Sequence, residues 1–501
     1  MNRRRFLGLS AASLAAAAGV VPPAGRGALA ADDTASRPRL ALPPLLDTRT
    51  TGRLSLTAQA GQTDFLGRAA TPTAGFNRGY LGPTIVMANG PLAATVDNRL
   101  AETITVHWHG LLVPGEHDGS AHSPIAPSRR WAVEMEIAQR PATAWYHSHA
   151  HGATARHVYA GLAGVIHQTD GRDDDRGLPS RYGIDDLTLV LQDRRFDAAG
   201  RMIYNPDSTD ILNGFHGERM LVNGQWNAVA RVPKGIVRLR LLNGSNARVY
   251  TLHFNDRRPL HLVATDGGFL DRPQALTYLR LAPGQRAEVL VDFAAGPDPV
   301  LMSASGLAMK ILEFATDDTL SARIARLPET LDAEPAPAPG PEIRRRRFAL
   351  NMGGSSQGMT KMGTGMHGAH GGHGPPIGAG ADGELMGIAM NDFGINGRPF
   401  DMGRIDFDVA LGSFERWAIA GGGAGVEHPF HVHGVHFRVV SVGGGAPRPE
   451  DAGWRDTILV TGETEIVVRF DRRAGRDAPY MYHCHILEHE DAGMMGQFTV
   501  G

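Results

Sequence analysis

The feature that most constrains this chain is its single cysteine, which lies between two histidines near the C-terminus. Cys484 is flanked by His483 and His485. In an extended strand successive side chains point to opposite faces, so the two histidines would face one way and the thiol the other. A short strand of this kind offers metal ligands on both of its sides. The alternative is a buried core cysteine between two ordinary histidines.

A histidine and a methionine further along the chain extend this motif. His489 lies five residues after Cys484, and Met494 lies ten residues after it, so that a turn can return both to the thiol side. One cysteine, two histidines and a weak axial methionine form the ligand set of a blue-copper electron-transfer site. The spacing therefore predicts a copper site on the thiol face of the strand.

Four His-x-His pairs are spread over the chain, each on a segment with strand-like alternation. The pairs are His107/His109, His147/His149, His431/His433 and His483/His485. Eight imidazoles in same-face pairs provide enough donors for three metals if the first and last parts of the chain pack together. Copper is favoured, because it outcompetes other divalent metals for nitrogen and sulfur ligands. Zinc prefers a closed tetrahedral site and would not explain four clustered pairs.

Length and composition predict several β domains. A chain of 501 residues is too long for one core, and 63 glycines with 32 prolines favour many short strands and turns. The predicted units are residues 45–170, 180–327 and 344–501. The middle unit has neither a His-x-His pair nor a cysteine and is interpreted as structural. A proline-rich linker is predicted at 328–343, and a Gly-, Met- and His-rich loop at 353–383 is either a source of metal ligands or a plain flexible insert.

The N-terminus has the features of an export signal. Three arginines precede an apolar run, and a small-residue cleavage site ends the segment 1–30. The adjacent arginines predict the twin-arginine route to the periplasm, with an ordinary secretory signal as the alternative. The apolar run is short of the roughly 20 residues that a stable membrane anchor needs. Loss of this segment removes four arginines and no acid, which moves the net charge from −2 to about −6 and argues against a nucleic-acid partner.

These motifs resemble the copper motifs of the multicopper oxidases. The matching segments are His107-Trp-His109-Gly, His147-Ser-His149, His428-Pro-Phe-His431-Val-His433-Gly, and His483-Cys-His485 with His489 and Met494. Within the family the likeness is greatest to the bacterial periplasmic copper efflux oxidase and bacterial laccases, over nearly the whole mature chain. The resemblance implies an all-β fold of three cupredoxin-like domains, each a Greek-key β-barrel or sandwich, in a monomer.

The resemblance also implies a ligand set for four copper ions. The type 1 copper would be held by Cys484, His428 and His489, with Met494 as the axial ligand. The type 2 copper would take His107 and His431. The type 3 pair would take His109, His147, His149, His433, His483 and His485.

Two acids are predicted to act beside the copper ligands. By resemblance, Asp118 and Glu490 would supply protons to dioxygen as it is reduced, which consumes four protons. The alternative for each is a solvated charge in a turn. The cuprous-ion site of the copper efflux oxidase is not matched, because its Asp and Met are missing before His428. Glu427, next to that ligand, is instead predicted to receive a donor proton or a cation.

The predicted function is an exported multicopper oxidase with a role in copper tolerance. It would couple one-electron oxidation of Cu(I) or phenolic donors to four-electron reduction of dioxygen to water. The alternatives are a laccase-like phenol oxidase with little cuprous oxidase activity and a copper-sequestering protein. A member of the family retained as a structural or assembly factor is disfavoured, because such proteins typically lose copper ligands and this chain keeps all twelve.

Overall fold

The computed structural model describes residues 37–304, 308–331, 343–352, 393–421 and 425–501. The predicted export signal at 1–30 and the predicted loop at 353–383 lie outside these residues, as does most of the predicted linker at 328–343. None of the helices in the described part of the chain has the length and apolar character needed to span a membrane.

The described strands form six sheets, which pack as three two-sheet sandwiches. In strand β2 (Arg53–Thr63), Leu54, Leu56 and Ala58 are buried, whereas the residues between them are exposed or half-buried. This period of two is typical of a strand with one face on a core. The predicted all-β fold is confirmed. The sandwiches fall within the three predicted units, whose boundaries stay a prediction.

The first sandwich contains eight strands and one helix. Their bounds are β1 Leu45–Asp47, β2 Arg53–Thr63, β3 Thr71–Phe76, β4 Thr84–Met87, β5 Gly90–Asn98, β6 Arg130–Ile137, β7 Ala142–His147, α1 Thr154–Ala160 and β8 Ala163–Gln168. One sheet has the order β1-β4-β8-β7 and the other β3-β2-β5-β6. Trp108 and Tyr146 fill the core between them, with ring centroids 6.1 Å apart.

The middle sandwich contains thirteen strands and one helix in the described residues. Their bounds are β9 Asp186–Phe196, β10 Met202–Ile203, α2 Ser208–Asn213, β11 Arg219–Val222, β12 Gln225–Trp226, β13 Val229–Lys234, β14 Ile236–Asn243, β15 Tyr250–Phe254, β16 Leu260–Thr265, β17 Gly268–Leu276, β18 Leu279–Leu281, β19 Arg286–Asp292, β20 Val300–Ser303 and β21 Met309–Ser321. One sheet has the order β12-β11-β9-β14-β19-β16-β17, with β10 also paired to β9, and the other has the order β13-β21-β20-β15-β18.

The third sandwich contains ten strands and one helix in the described residues. Their bounds are β22 Arg344–Asn351, β23 Gly394–Ile395, β24 Phe407–Val409, β25 Phe414–Gly421, β26 His428–Val432, β27 Phe437–Val442, β28 Thr457–Val460, β29 Thr464–Arg469, β30 Tyr480–Cys484, α3 Leu487–Asp491 and β31 Met495–Val500. The sheet orders are β23-β22-β25-β29-β27 and β24-β31-β30-β26-β28. Strands β26 and β30 are therefore direct neighbours in one sheet.

Helix α3 contacts both of the other sandwiches through two carboxylates, of which Glu488 is buried and Asp491 is half-buried. Asp491 accepts the backbone N–H groups of Thr154 and Ala155 at 2.9 Å each, at the start of α1. Glu488 accepts the side-chain amide of Asn246 at 2.7 Å, in the middle sandwich. Unpaired buried carboxylates are unfavourable, so these bonds fix the position of α3 relative to the other sandwiches.

Candidate metal centre

Each His-x-His pair lies where a strand or bridge ends, and its second histidine follows that end. His147 is the last residue of β7, and β26 and β30 end just before His433 and His485. The two strands of the third sandwich pair with His431 opposite His483. The backbone N–H of His107 donates to the carbonyl of His147 at 2.9 Å. Backbone pairing therefore aligns the histidines within each sandwich.

The segment 103–110, whose strand-like alternation around His107 and His109 predicted a strand, does not form one. Among the residues that the structure describes, it forms β-bridges only at Ile104 and His107, and His109 lies in a turn. The alternation of apolar residues reflects burial of Ile104, Val106 and Trp108 in the first core rather than a continuous ladder. Alternation reports which side chains are buried, and it does not report whether a neighbouring strand is present.

The eight paired histidines form one buried cluster between the first and third sandwiches. Each of the eight is at most 1% exposed. His107 stacks on His433 with ring centroids 3.9 Å apart, and His109 stacks on His431 at 3.7 Å. The cluster therefore joins rings from segments that are more than 300 residues apart in sequence.

Three ring nitrogens converge within this cluster. Nε2 of His483 lies 3.3 Å from Nε2 of His149 and 3.2 Å from Nε2 of His433. The donor atoms of His107, His431 and His433 also lie within 4.8 Å of one another, as do those of His107, His109 and His147. Converging imidazole nitrogens at this spacing are suited to copper.

The cysteine lies on the opposite side of its strand, beside two other histidines. The Sγ atom of Cys484 is 3.4 Å from Nδ1 of His428 and 3.7 Å from Nδ1 of His489, and all three residues are fully buried. The backbone N–H of Cys484 donates to the carbonyl of Met494 at 3.1 Å. Met494 is buried in the same apolar cluster as Cys484. The predicted type 1 residues are thus neighbours in the structure.

Unsatisfied ring nitrogens show that this donor set fits a metal. Buried polar atoms are almost always hydrogen-bonded, yet several ring nitrogens in the described cluster have no partner. They are Nε2 of His107, His147 and His431, Nδ1 of His109 and His149, and both nitrogens of His485. A bound copper would satisfy such lone pairs, because neutral imidazole is a metal ligand.

Burial keeps these histidines in the form that binds metal. Desolvation lowers the pKa of His149 to about 3 and that of His431 to about 4. The pKa values of His109, His147, His433 and His485 are lowered well below the ordinary value, again mainly by burial. Burial raises the pKa of the Cys484 thiol. Copper binding to Cys484 is therefore coupled to release of a proton, because the thiolate is the ligand.

Each of the two predicted acids contacts a different ring of the histidine cluster. Asp118 contacts Nδ1 of His433 at 2.7 Å, and Glu490 contacts Nδ1 of His483 at 3.2 Å. Both carboxylates are buried, so neither is a solvated turn charge. Burial would raise the pKa of Glu490, but the neighbouring His149 and His483 hold it well below the ordinary value. Their predicted role as proton donors stays a prediction.

Comparison with known proteins identifies the family. Three models described as multicopper oxidase match residues 57–171, 184–324 and 381–501. The chain belongs to the multicopper oxidase family. A bacterial laccase-like multicopper oxidase from Ochrobactrum sp., described as having oxidase activity towards lignin model compounds, is 39% identical, with 92% of this chain and 100% of that chain covered and a TM-score of 0.81. A laccase from Pediococcus acidilactici is 32% identical, with 93% and 94% covered and a TM-score of 0.79.

These matches confirm the predicted resemblance to multicopper oxidases and the cupredoxin-like architecture. The multicopper oxidase domains, together with the donor clusters, indicate that the chain binds copper. The predicted number and types of the copper ions stay predictions.

The curated relatives correct the predicted function. "Cell division protein FtsP" of Dickeya dadantii (strain 3937) is 36% identical over 507 residues, which cover 100% of this chain and 98% of the relative. The protein of the same name from Escherichia coli (strain K12) is 34% identical, with 100% and 99% covered. The predicted assignment as an enzyme, whether a copper-tolerance oxidase or a laccase, is therefore wrong. Ligand motifs specify what a fold binds, whereas the same fold serves several functions.

Sequence reasoning missed Asp456, which contacts the histidine cluster from the third sandwich. Its Oδ1 lies 3.0 Å from Nε2 of His109 and 3.5 Å from Nδ1 of His431. Burial would raise the pKa of Asp456, but the adjacent Arg286 guanidinium holds it well below the ordinary value. Asp456 belongs to no His-x-His or cysteine motif, so its only sequence signal is an acid immediately before an apolar strand.

Glu427 is already engaged in an ion pair. Its carboxylate accepts a hydrogen bond from the guanidinium of Arg280, which belongs to the middle sandwich. The predicted role of Glu427 in receiving a proton or cation stays a prediction, and any such ligand would compete with Arg280.

Proposed function

We propose that this protein acts in cell division and holds copper as a bound cofactor. The observation that supports a division role is the full-length similarity to proteins named for cell division, which extends over all three sandwiches. The copper part rests on the buried donor clusters. Fold similarity alone would not distinguish this role from others in the family.

The proposed copper set comprises four ions. The type 1 ion is assigned to Cys484, His428, His489 and the axial Met494. The type 2 ion is assigned to His107 and His431. The type 3 pair is assigned to His109, His147, His149, His433, His483 and His485. Support for this assignment comes from the contacts of the thiol with two imidazoles and from the unpartnered nitrogens of the histidine cluster.

The proposed role of copper in this protein is to join two sandwiches. Four of the clustered histidines belong to the first sandwich and four to the third. Bound copper supplies strong bonds to several imidazoles at once and a centre that changes oxidation state. The chain's own contribution is to bury the rings, keep them neutral and hold one ring nitrogen of six of the eight histidines in a hydrogen bond to a backbone carbonyl or a carboxylate. A copper-dependent scaffold is compatible with a role in which no substrate is converted.

The remaining predictions concern export and partners. We propose that the protein acts in the periplasm after export by the twin-arginine route, because its first 30 residues have the required pattern. A monomeric state and the absence of a nucleic-acid partner stay predictions. Dioxygen and a Cu(I) or phenolic donor as partners also stay predictions.

Loss of the thiol is expected to remove one copper selectively. Cys484→Ser leaves the eight clustered histidines in place but removes the thiolate from the site with His428 and His489. We expect the copper-loaded wild type to show the absorption of a copper–thiolate bond and the variant to lack it, with about one copper fewer per chain. Metal analysis and visible absorption measure both effects. An unchanged spectrum in the variant would contradict the assignment of the type 1 site.

The division role is tested by deleting the gene in its native host. We expect cells of the deletion strain to lengthen or to septate poorly under division stress, as measured by microscopy. The wild-type gene and a His253→Ala control should restore cell length, because His253 lies in the middle sandwich, outside the clusters. A His433→Ala variant should not restore it if copper is required. Normal cell length in the deletion strain under all conditions would overturn the proposal.

A further inference from the structure

The middle sandwich was interpreted from sequence as purely structural, yet one of its turns reaches the histidine cluster. This turn, residues 282–286, leads from β18 into the first residue of β19, Arg286, and reads Ala-Pro-Gly-Gln-Arg. Gln285 donates its side-chain amide to the carbonyl of Thr457 at 3.0 Å, in the third sandwich. The turn is therefore attached to the same segment that carries Asp456.

Arg286 uses all of its hydrogen-bond donors in this region. Its guanidinium binds both oxygens of Asp456, at 2.8 Å and 2.5 Å. Its remaining N–H groups donate to three backbone carbonyls, those of Thr143 at 3.0 Å, Gly284 at 2.9 Å and Asp266 at 3.1 Å. A guanidinium has five such donors in a rigid fork, so the side chain is fully satisfied and fixed in orientation.

The ion pair between Arg286 and Asp456 in turn determines which ring nitrogen of His109 is free. Asp456, ionised beside Arg286, accepts from Nε2 of His109 at 3.0 Å. The proton must then reside on Nε2, and Nδ1 carries a bare lone pair; Nδ1 is buried and has no partner. The backbone carbonyl of Asp456 holds Nδ1 of His431 at 2.9 Å in the same way, which leaves Nε2 of that ring free. Such partners fix the tautomer and orientation of metal-binding histidines.

Two glycines create the space that this arrangement needs. Gly110, directly after His109, has a φ of +93°, and a Cβ there would lie 2.5 Å from Nη2 of Arg286. Gly284, in the turn, has a φ of +80°, and a Cβ there would lie 2.8 Å from Cδ2 of His485. The turn therefore packs directly against the ring of His485, whose two nitrogens are both unpartnered.

We propose that the 282–286 turn of the middle sandwich is a positioning element for the copper-binding histidines: Arg286 orients His109 and His431 through Asp456, and Gly284 fixes the ring of His485. The inference rests on the proposed copper set and adds a domain without copper ligands to the machinery that shapes it. It predicts that a change in the turn weakens copper binding at the histidine cluster and leaves the Cys484 site intact.

The test compares two pairs of variants in the full-length, copper-loaded protein. Arg286→Lys keeps the charge but loses the fork, and its control is Arg238→Lys, a buried arginine of the same sandwich that binds Glu288 rather than Asp456. Gly284→Ala adds the Cβ beside His485. Its control is Gly412→Ala, where φ is +77° and no atom lies within 4 Å of the added Cβ. Comparison within the second pair thus distinguishes the effect of contact with the His485 ring from the effect of backbone strain at a positive φ.

The measurements are copper content after dialysis against a competing chelator, and the electron paramagnetic resonance and visible absorption of each copper type. We expect both turn variants to bind copper at the histidine cluster about 10- to 100-fold more weakly, with the copper–thiolate absorption unchanged. Both controls should retain wild-type affinity. If Arg286→Lys yields no folded protein, the comparison of Gly284→Ala with Gly412→Ala tests the positioning role of the turn.

The possible failures are distinguishable. A wild type that holds no copper at the histidine cluster would overturn the proposed copper set itself. A wild type that holds it, with turn variants that match their controls in cluster affinity and spectra, would overturn the positioning role of the turn alone. Loss of the copper–thiolate absorption together with cluster copper would also overturn it, because that pattern indicates general unfolding.

Discussion

Removing copper from the loaded protein is expected to lower its thermal midpoint by on the order of 10 °C. The physical reason is that the proposed copper ions bind rings from two different sandwiches. A metal that binds only the folded state stabilises that state by mass action. A free ligand concentration 1,000 times the dissociation constant contributes about 4 kcal/mol per site. The metal-free cluster instead holds buried nitrogens without partners, which is unfavourable.

Differential scanning calorimetry with and without a copper chelator measures this shift. A His483→Ala variant should show a much smaller shift on chelation, because His483 contributes one of the converging nitrogens. A His261→Ala variant in the middle sandwich should behave like the wild type, since His261 belongs to no donor cluster among the described residues. Equal midpoints for loaded and copper-free wild type would contradict the proposed role of copper in joining the sandwiches.

Replacement of Glu288 by glutamine is expected to destabilise the middle sandwich by about 3–5 kcal/mol. Glu288 is 1% exposed and accepts from Nε of Arg238 at 2.8 Å, Nη1 of Arg240 at 3.2 Å and Oγ1 of Thr143 at 2.6 Å. The variant removes the carboxylate that two buried guanidinium groups share, and leaves them, among the described residues, only Asp173 and Asp186 as charged partners. Denaturant unfolding measures the loss. Glu463→Gln, on an exposed pair with Arg347, is the control and should change stability by under about 1 kcal/mol.

The same substitution predicts a pH dependence. Burial alone would raise the pKa of Glu288, but Arg238 and Arg240 hold it at about 2, against an ordinary value of 4.5. A carboxyl with a depressed pKa in the folded state contributes stability that is full above the unfolded value and is lost as the pH falls through the folded one. The difference in unfolding free energy between wild type and Glu288→Gln should therefore shrink between about pH 4.5 and pH 2. A difference that stays constant over this window would contradict the assigned ion pair.

The local motifs predicted which side chains of the site point in the same direction, because side-chain direction in an extended chain follows directly from the sequence. The alternation around Cys484 placed His483 and His485 on one side and the thiol on the other, and the structure has that arrangement. Three of the four His-x-His pairs likewise lie at strand ends, and all eight histidines are buried. The weak point was function, because the donor atoms of a copper site are the same whether the protein converts a substrate or only holds the metal.

Other features depended on contacts between distant segments. Asp456 is 347 residues from His109, and Arg286 is 170 residues from Asp456. Neither has a periodic or motif signal, and the turn that carries Arg286 lies in a domain that sequence reasoning set aside. The predicted strand at 103–110 also failed for this reason, since strand formation requires a neighbour that alternation does not specify.

The sequence by itself determined the all-β class and the family, and it predicted the donor residues, because these depend on residue type and on spacing along an extended chain. Only the tertiary structure decided which ring nitrogens are free, which acids are buried beside them and how the middle sandwich contacts the cluster. Those properties arise from packing between sandwiches, where burial and a few long-range hydrogen bonds fix tautomers and charge states that no local pattern encodes.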